Sequence, residues 1–215
     1  MINTLILTIF TALNIGITPV SKVAKTQEVI ASHEFSLEKR YEVKSVNEVM
    51  KKNILLNLAY LSGKVSKKSD INWDEVTKPF SYEFTLKPGE VFAYHDIVRS
   101  MYKDRLTVTS TTNFGAGDGY LSDGYLYGDG VCHLASLINW AAVDANLEVV
   151  VPKDHRSVAS INEIPDDYGV SIYKDPGANI GADNNLYITN NQSQPVSFVF
   201  NYDGIELTVS VTKAG

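Results

Sequence analysis

Residues 128–145, GDGVCHLASLINWAAVDA, contain the one cysteine of this 215-residue chain and decide how the rest of the sequence is interpreted. From residue 131 onward, apolar residues recur at the spacing of a single helix face. This stripe consists of Val131, Leu134, Ala135, Ile138, Ala141, Ala142 and Ala145. Two glycines precede it and allow a sharp backbone turn. We therefore predict a helix that begins at about residue 131 and packs its apolar stripe into the core.

Cys132 lies beside the apolar stripe, in the first turn of the predicted helix. There a thiol meets unpaired backbone N–H groups and the positive end of the helix dipole, and both favour the thiolate. The same amides can stabilise an oxyanion during acyl transfer. Because free cysteines are usually buried, a structural role is the alternative. A structural cysteine would more naturally lie within the alanine stripe, so the position indicates a nucleophile.

A nucleophilic thiol needs a base, and the chain has four histidines. His133 is adjacent to the cysteine, and adjacent side chains on a helix point apart. His33 lies in a polar stretch, whereas His95 and His155 could reach the thiol through the fold, His155 after the strand-like segment EVVVP. Spacing alone does not choose among them. A metal site is not indicated, since CxxC and HExxH are both absent, and no cofactor is expected.

The patterns outside this helix predict an α+β fold. Residues 43–61 have apolar positions at helical spacing, with Gly63 as a C-cap. Short strands flank the Pro88-Gly89 turn. Residues 196–211 alternate apolar and polar positions around Asp203-Gly204, which is typical of a hairpin. We predict a mostly antiparallel sheet, packed with the helix that bears the nucleophile and ending in a C-terminal β-hairpin.

The glycine-rich segment 113–130 precedes the cysteine helix and is predicted to be a structured loop. Aspartate and glycine alternate in it, but the EF-hand spacing with its closing glutamate is absent. The phosphate-binding pattern GxxxxGK[ST] is absent as well. Its last glycines would let the backbone turn into the helix.

Charge and the N-terminal pattern restrict partners and location. A net charge of −6 and a pI of about 5.2 argue against nucleic-acid binding, which needs a basic surface. Residues 1–21 are apolar enough for a signal or an N-terminal membrane anchor, the alternative being an ordinary helix or strand of the fold. Residues 22–42 are polar and predicted to be a spacer before a domain at 43–215. The expected location is therefore extracytoplasmic, secreted or tethered through the N-terminus.

Four segments together resemble a known family. In chain order they are FTLKPGEVFAYHDIV at 84–98, GDGVCHLASLINWAAVDANLEVV at 128–150, DHRSVASINEIP at 154–165 and NLYITNNQSQPVSFVF at 185–200. They are similar to the VanW domain of Gram-positive cell-wall proteins across residues 45–213. The resemblance implies an L,D-transpeptidase-like activity, in which a cysteine forms a thioester with a peptidoglycan stem peptide and passes the acyl group to an amine.

The resemblance also suggests catalytic residues. Cys132 matches the family cysteine, and His155 matches the histidine of a His-Ser pair, although Arg156 here separates it from Ser157. Two neighbours of the cysteine depart from the family. Asp129 replaces a usual glycine, and His133 replaces a usual glutamine.

A further departure concerns the acid that would orient the histidine. The family aspartate aligns with Gly169, so this carboxylate is missing at its usual place. Asp166 and Asp167 are the nearest substitutes, and Asp167 is our predicted orienting residue. A solvated turn is the alternative for this pair, because Pro-Asp-Asp is a common turn sequence.

Two functions from different classes follow. The first is a cysteine acyltransferase acting on cell-wall peptides, with Cys132 as nucleophile, His155 as base and Asp167 as orienting acid. The second is a non-catalytic wall-binding or assembly domain, with segment 113–130 as its contact surface. Transpeptidation and hydrolysis share one acyl-enzyme, and the sequence does not distinguish them.

Overall fold

The computed structural model describes residues 27–155 and 159–214, so the signal or anchor predicted for residues 1–21 lies outside the described residues. The described residues form three helices and eight strands, with four short 3-10 turns at Lys68–Asp70, Ser100–Arg105, Ala116–Asp118 and Asp166–Tyr168. In chain order the elements are β1 (Gln27–Ser36), α1 (Lys44–Leu61), α2 (Trp73–Val76), β2 (Phe80–Leu86), β3 (Val91–His95), β4 (Leu106–Ser110), α3 (Val131–Asp144), β5 (Glu148–Val150), β6 (Tyr187–Thr189), β7 (Val196–Tyr202) and β8 (Glu206–Ala214).

The strands form two four-stranded sheets, which confirms the predicted α+β class. The first sheet has the order β1-β8-β7-β2 and is antiparallel throughout. The second has the order β4-β3-β6-β5, and its β3–β4 pair is parallel. The Pro88-Gly89 turn joins β2 to β3 and so carries the chain from one sheet to the other.

The C-terminal hairpin is confirmed. The alternating apolar residues of β7 and β8 are buried, among them Val196, Phe198, Phe200, Leu207, Val209 and Val211. Ile205 departs from the predicted alternation, since it precedes β8 and is 56% exposed. It belongs to the turn instead, where its N–H donates to Asp203 Oδ1 over 2.8 Å.

Residues 27–36 differ from the polar spacer predicted for 22–42, because they form β1 and pair with β8 along their whole length. The strand lies at the edge of its sheet, so much of it faces solvent and its sequence looks polar. It is nevertheless held to α3: the ring of His33 stacks on Trp140 with centroids 3.7 Å apart, and His33 Nε2 lies 2.7 Å from Asp144 Oδ2. Phe35 and Leu37 then enter the core.

The two predicted helices are confirmed. Helix α1 ends just before Gly63, whose φ of +72° suits the glycine at that C-terminus. Every residue of the apolar stripe of α3 is buried, and α3 contacts β1, β8, β5 and α1. Neither this helix nor any other within 27–155 and 159–214 is long and apolar enough to cross a membrane.

Candidate functional site

The turn that leads into α3 requires its two glycines. Gly128 and Gly130 have φ values of +80° and +96°. A Cβ on Gly128 would lie 2.7 Å from the carbonyl oxygen of Phe114, and one on Gly130 would lie 2.7 Å from that of Met50. Both are contacts with rigid backbone. The loop therefore packs tightly against α1, and this contact sets where α3 begins.

Asn53 of α1 binds two points of the glycine-rich segment that precedes α3, namely Leu121 and Asp129. Its side chain is fully buried, and its Nδ2 donates to the carbonyl oxygens of Leu121 and Asp129, each over 3.0 Å. Its Oδ1 accepts from the N–H of Leu121 over 2.8 Å. Asn53 was not predicted as a site residue. An asparagine inside the helical pattern of α1 was the available signal, since a buried amide needs hydrogen-bond partners.

One side of α3 carries polar groups that bind the backbone of residues 168–170. Ser136 Oγ accepts from the N–H of Val170 over 2.9 Å and donates to the carbonyl oxygen of Cys132 over 2.7 Å. Asn139 Nδ2 donates to the carbonyl oxygen of Tyr168 over 2.9 Å. The helix thereby fixes residues 168–170, the segment in which the resemblance would place the family aspartate.

Cys132 is the second residue of α3, which confirms its predicted place in the first turn. Its Sγ accepts from the N–H of Ile172 over 3.4 Å and lies 3.8 Å from the carbonyl oxygen of the same residue. Burial, and to a lesser extent the nearby charge of Asp129, raises the pKa of the thiol to about 11. The expectation that the helix terminus would favour thiolate is therefore wrong for this resting structure, because desolvation outweighs the helix dipole.

The first turn of α3 also carries unpaired backbone donors. The N–H of Val131 donates to Gly128 and that of Leu134 to Gly130. Within the described part of the chain, the N–H groups of Cys132 and His133 have no backbone acceptor. Donors of this kind beside a nucleophile are what an oxyanion hole requires.

A cavity of about 500 Å³ opens over Cys132 and brings it together with His155. Its lining also includes Arg40, Asp129, His133 and Tyr173. Residues 126–130 form part of its wall, so the glycine-rich segment contributes to this site. Arg40 was not predicted as a site residue; it lies within the segment predicted to be a spacer, and its buried guanidinium pairs with Glu163.

His155 is oriented by the backbone. Its Nδ1 lies 2.8 Å from the carbonyl oxygen of Ala159. A carbonyl accepts only, so Nδ1 carries the proton and Nε2 is left as the acceptor. Among the described residues no hydrogen bond joins His155 to Cys132 Sγ, although both line the cavity. The role of His155 as base stays a prediction.

His133 is 8% exposed, lines the same cavity and meets the ring of His155 edge to face, with centroids 6.5 Å apart. Its Nδ1 is buried and has no hydrogen-bond partner among the described residues. Burial, followed by the charge of Arg40, lowers its pKa to about 3, so the imidazole is neutral. A buried ring nitrogen without a partner is uncommon in folded proteins.

Asp129 is the acid nearest to the thiol in the chain. It lines the cavity, and its Oδ2 is buried with no hydrogen-bond partner within the described residues. Burial, together with the adjacent Asp123, raises the pKa of Asp129 to about 6. An acceptor is therefore present beside the nucleophile at a position where the resemblance led us to expect glycine.

The remaining predicted acid lies further away. Asp167 is exposed, in the 3-10 turn Asp166–Tyr168, and does not line the cavity. Asp166 and His155 both line a small second pocket. Since Ala159 already accepts from Nδ1, the orienting role of Asp167 stays a prediction to be tested by substitution.

The other two histidines do not reach this cavity. His33 stacks on Trp140, and His95 is buried at the end of β3 with its Nε2 3.1 Å from the carbonyl oxygen of Asn184. Burial lowers the pKa of His95 to about 4. Over residues 27–155 and 159–214, no three histidine, cysteine or acidic side chains are grouped so that they could hold a metal ion.

Comparisons with known proteins identify the family. A family model described as VanW like protein matches residues 81–212. The match begins within β2, includes α3 and ends within β8. No curated protein matches significantly, and no solved structure does either. Membership of this family suggests a role related to the cell wall. Since the match covers well over half of the sequence, the chain belongs to the VanW family.

Proposed function

We propose that the protein is a cysteine acyltransferase that acts on peptidoglycan stem peptides through a thioester on Cys132. The observation that supports this most is the common cavity of Cys132 and His155 at the N-terminus of α3. A nucleophile, a base with a fixed tautomer and unpaired backbone donors are the parts that acyl transfer needs. The proposed site of action is outside the cytoplasmic membrane, where such peptides occur.

Each residue has a defined part in the acylation step. Sγ of Cys132 attacks a peptide carbonyl carbon, so a C–S bond forms and the C–N bond to the leaving residue breaks. His155 Nε2 takes the thiol proton and returns it to the leaving amine. The N–H groups of Cys132 and His133 would receive the carbonyl oxygen as its charge develops. Since the pKa of the resting thiol is about 11, the proton must leave during the attack and not before it.

Intact-mass analysis tests the thioester directly. Incubation with tetrapeptide-containing muropeptides should add the mass of an acyl donor, less its leaving group, to the wild-type chain. Cys132→Ala should show no adduct, because the chain has no second thiol. An adduct that persists in Cys132→Ala would exclude Cys132. A wild type without any adduct, but with retained wall binding, would support the non-catalytic alternative.

Replacement of the base should slow acylation without unfolding the chain. We expect His155→Ala to reduce the rate of adduct formation by about 10²- to 10⁴-fold, the usual contribution of a general base. His33→Ala is the matched control, since His33 lies outside the cavity, and its rate should equal that of the wild type. Equal rates for His155→Ala and the control would remove His155 from the mechanism.

The orienting group is tested by Asp167→Asn. Because Nδ1 of His155 is already bound to the carbonyl oxygen of Ala159, we expect Asp167→Asn to slow acylation less than His155→Ala does. The same mass-based rates measure both variants. If the two losses are equal, Asp167 and not the backbone carbonyl is the main orienting group.

A further inference from the structure

Among the described residues that line the cavity, Asp129 is the one acid, and it lies three positions before the nucleophile. Its backbone is fixed, since its carbonyl oxygen accepts from Asn53 Nδ2 over 3.0 Å. Its side chain, in contrast, has a buried oxygen, Oδ2, that has no hydrogen-bond partner in the described residues. His133, whose Nδ1 is likewise buried without a hydrogen-bond partner in the described residues, lines the same cavity.

The chemistry of Asp129 selects the kind of ligand. An ionised carboxylate only accepts hydrogen bonds, so its partner must be a donor. Asp123 is close enough to raise the pKa of Asp129, and two neighbouring carboxyls favour a positively charged donor over a neutral one. Within the described residues no third ligand completes a metal site. The fitting partner is an ammonium group.

We propose that Asp129 binds the primary amine that attacks the Cys132 thioester and thereby favours aminolysis over hydrolysis. This inference rests on the proposed function, because it concerns the second half of the same reaction. It assigns transpeptidation, and not hydrolysis, to the cavity. It also gives a role to the acid that stands where the resemblance led us to expect glycine.

The proton transfers of this second step balance. An ammonium group arrives beside Asp129 and gives one proton to the carboxylate, which leaves a neutral amine. The amine nitrogen attacks the thioester carbon; the C–N bond forms, the C–S bond breaks, and the electron pair of that bond stays on sulfur. The second proton leaves the nitrogen for His155, which passes it to the thiolate of Cys132. The proton on Asp129 then returns to solvent.

The test measures how a preformed acyl-enzyme partitions between attack by an amine and attack by water. Wild-type protein acylated by tetrapeptide muropeptides is mixed with glycinamide, and mass spectrometry quantifies the amide and the free acid. Asp129→Asn should lower the ratio of amide to acid by about tenfold to a hundredfold, the loss expected for one hydrogen bond to a charged group. Glu83→Gln, an exposed residue of β2, removes the same charge elsewhere and should keep the wild-type ratio.

A second measurement on Asp129→Asn, the rate of thiol alkylation, distinguishes a functional role of Asp129 from a structural one. Asp129 contributes, after burial, to the raised pKa of Cys132, so its loss should make the thiol react faster with iodoacetamide. Faster alkylation together with a lower amide ratio supports the proposal, because general loosening of the fold would not reduce aminolysis selectively. An unchanged amide ratio in Asp129→Asn would overturn it.

A wild-type measurement covers the case in which Asp129→Asn does not fold. Methylguanidinium donates hydrogen bonds and carries a positive charge, but it is a poor nucleophile. It should inhibit formation of the glycinamide product while release of the free acid continues. Inhibition of neither product would overturn the proposal. If instead no acyl adduct forms on the wild type at all, it is the proposed function that fails, and the two failures are distinguished.

Discussion

The reaction of Cys132 with iodoacetamide should accelerate about a thousandfold between pH 7 and pH 10, because only the thiolate reacts and its fraction rises tenfold per pH unit below the pKa. Burial, followed by the charge of Asp129, raises the pKa of this thiol to about 11. Raising the pH therefore increases reactivity throughout this range. Intact mass after timed quenching gives the rate at each pH.

The denatured chain provides the matched control for this pH profile. Without burial the thiol should titrate near the ordinary cysteine value of about 8.5, so its rate should level off well before pH 10. A native rate that is already constant above pH 7 would contradict the prediction. It would indicate a preformed thiolate–imidazolium pair, for which His155 is the available partner in the cavity.

Gly130→Ala should lower the free energy of unfolding by about 2–4 kcal/mol, which is a large effect for one methyl group. An alanine at φ +96° is strained by itself. Its Cβ would also lie 2.7 Å from the carbonyl oxygen of Met50, a backbone atom that cannot move aside without displacing α1. Chemical denaturation monitored by tryptophan fluorescence measures the change.

Gly63→Ala separates these two contributions. Gly63 has a φ of +72°, and a Cβ there would meet nothing within 4 Å. Its replacement should therefore cost only the conformational part, about 1 kcal/mol. If both variants lose the same stability, the contact between the turn and α1 contributes nothing. A larger loss at Gly130 would show that this contact determines where α3, and with it Cys132, is placed.

Local periodicity accounts for the elements that were predicted correctly. The stripe of α3 and the alternation in β7 and β8 depend on neighbours a few residues apart, and such patterns can be read directly from sequence. β1 was missed because an edge strand with one face in solvent has few apolar residues. Its place is determined by pairing with β8, almost the whole chain away. No local pattern contains that information.

The features of the site can likewise be divided into local ones, which were predicted from the sequence, and ones that depend on tertiary structure, which were not. The glycine turn and the first-turn position of Cys132 are local features, and both were predicted. The raised pKa of the thiol was not, since it results mainly from burial of the thiol in the folded chain. The position of the thiol in the helix indicates the effect of the dipole but not the effect of burial. The carbonyl partner of His155 and the loop contacts of Asn53 are likewise products of tertiary structure.

The pairing of β1 with β8 also determines where the chain can be joined to other proteins. Gln27 lies opposite Ala214 in the antiparallel register, so the two ends of the described residues 27–214 are neighbours in one sheet. A domain with adjacent ends can be inserted into a surface loop of a host protein by two short linkers, or its sequence can be circularly permuted. The described fold is thus suited to modular use within larger architectures.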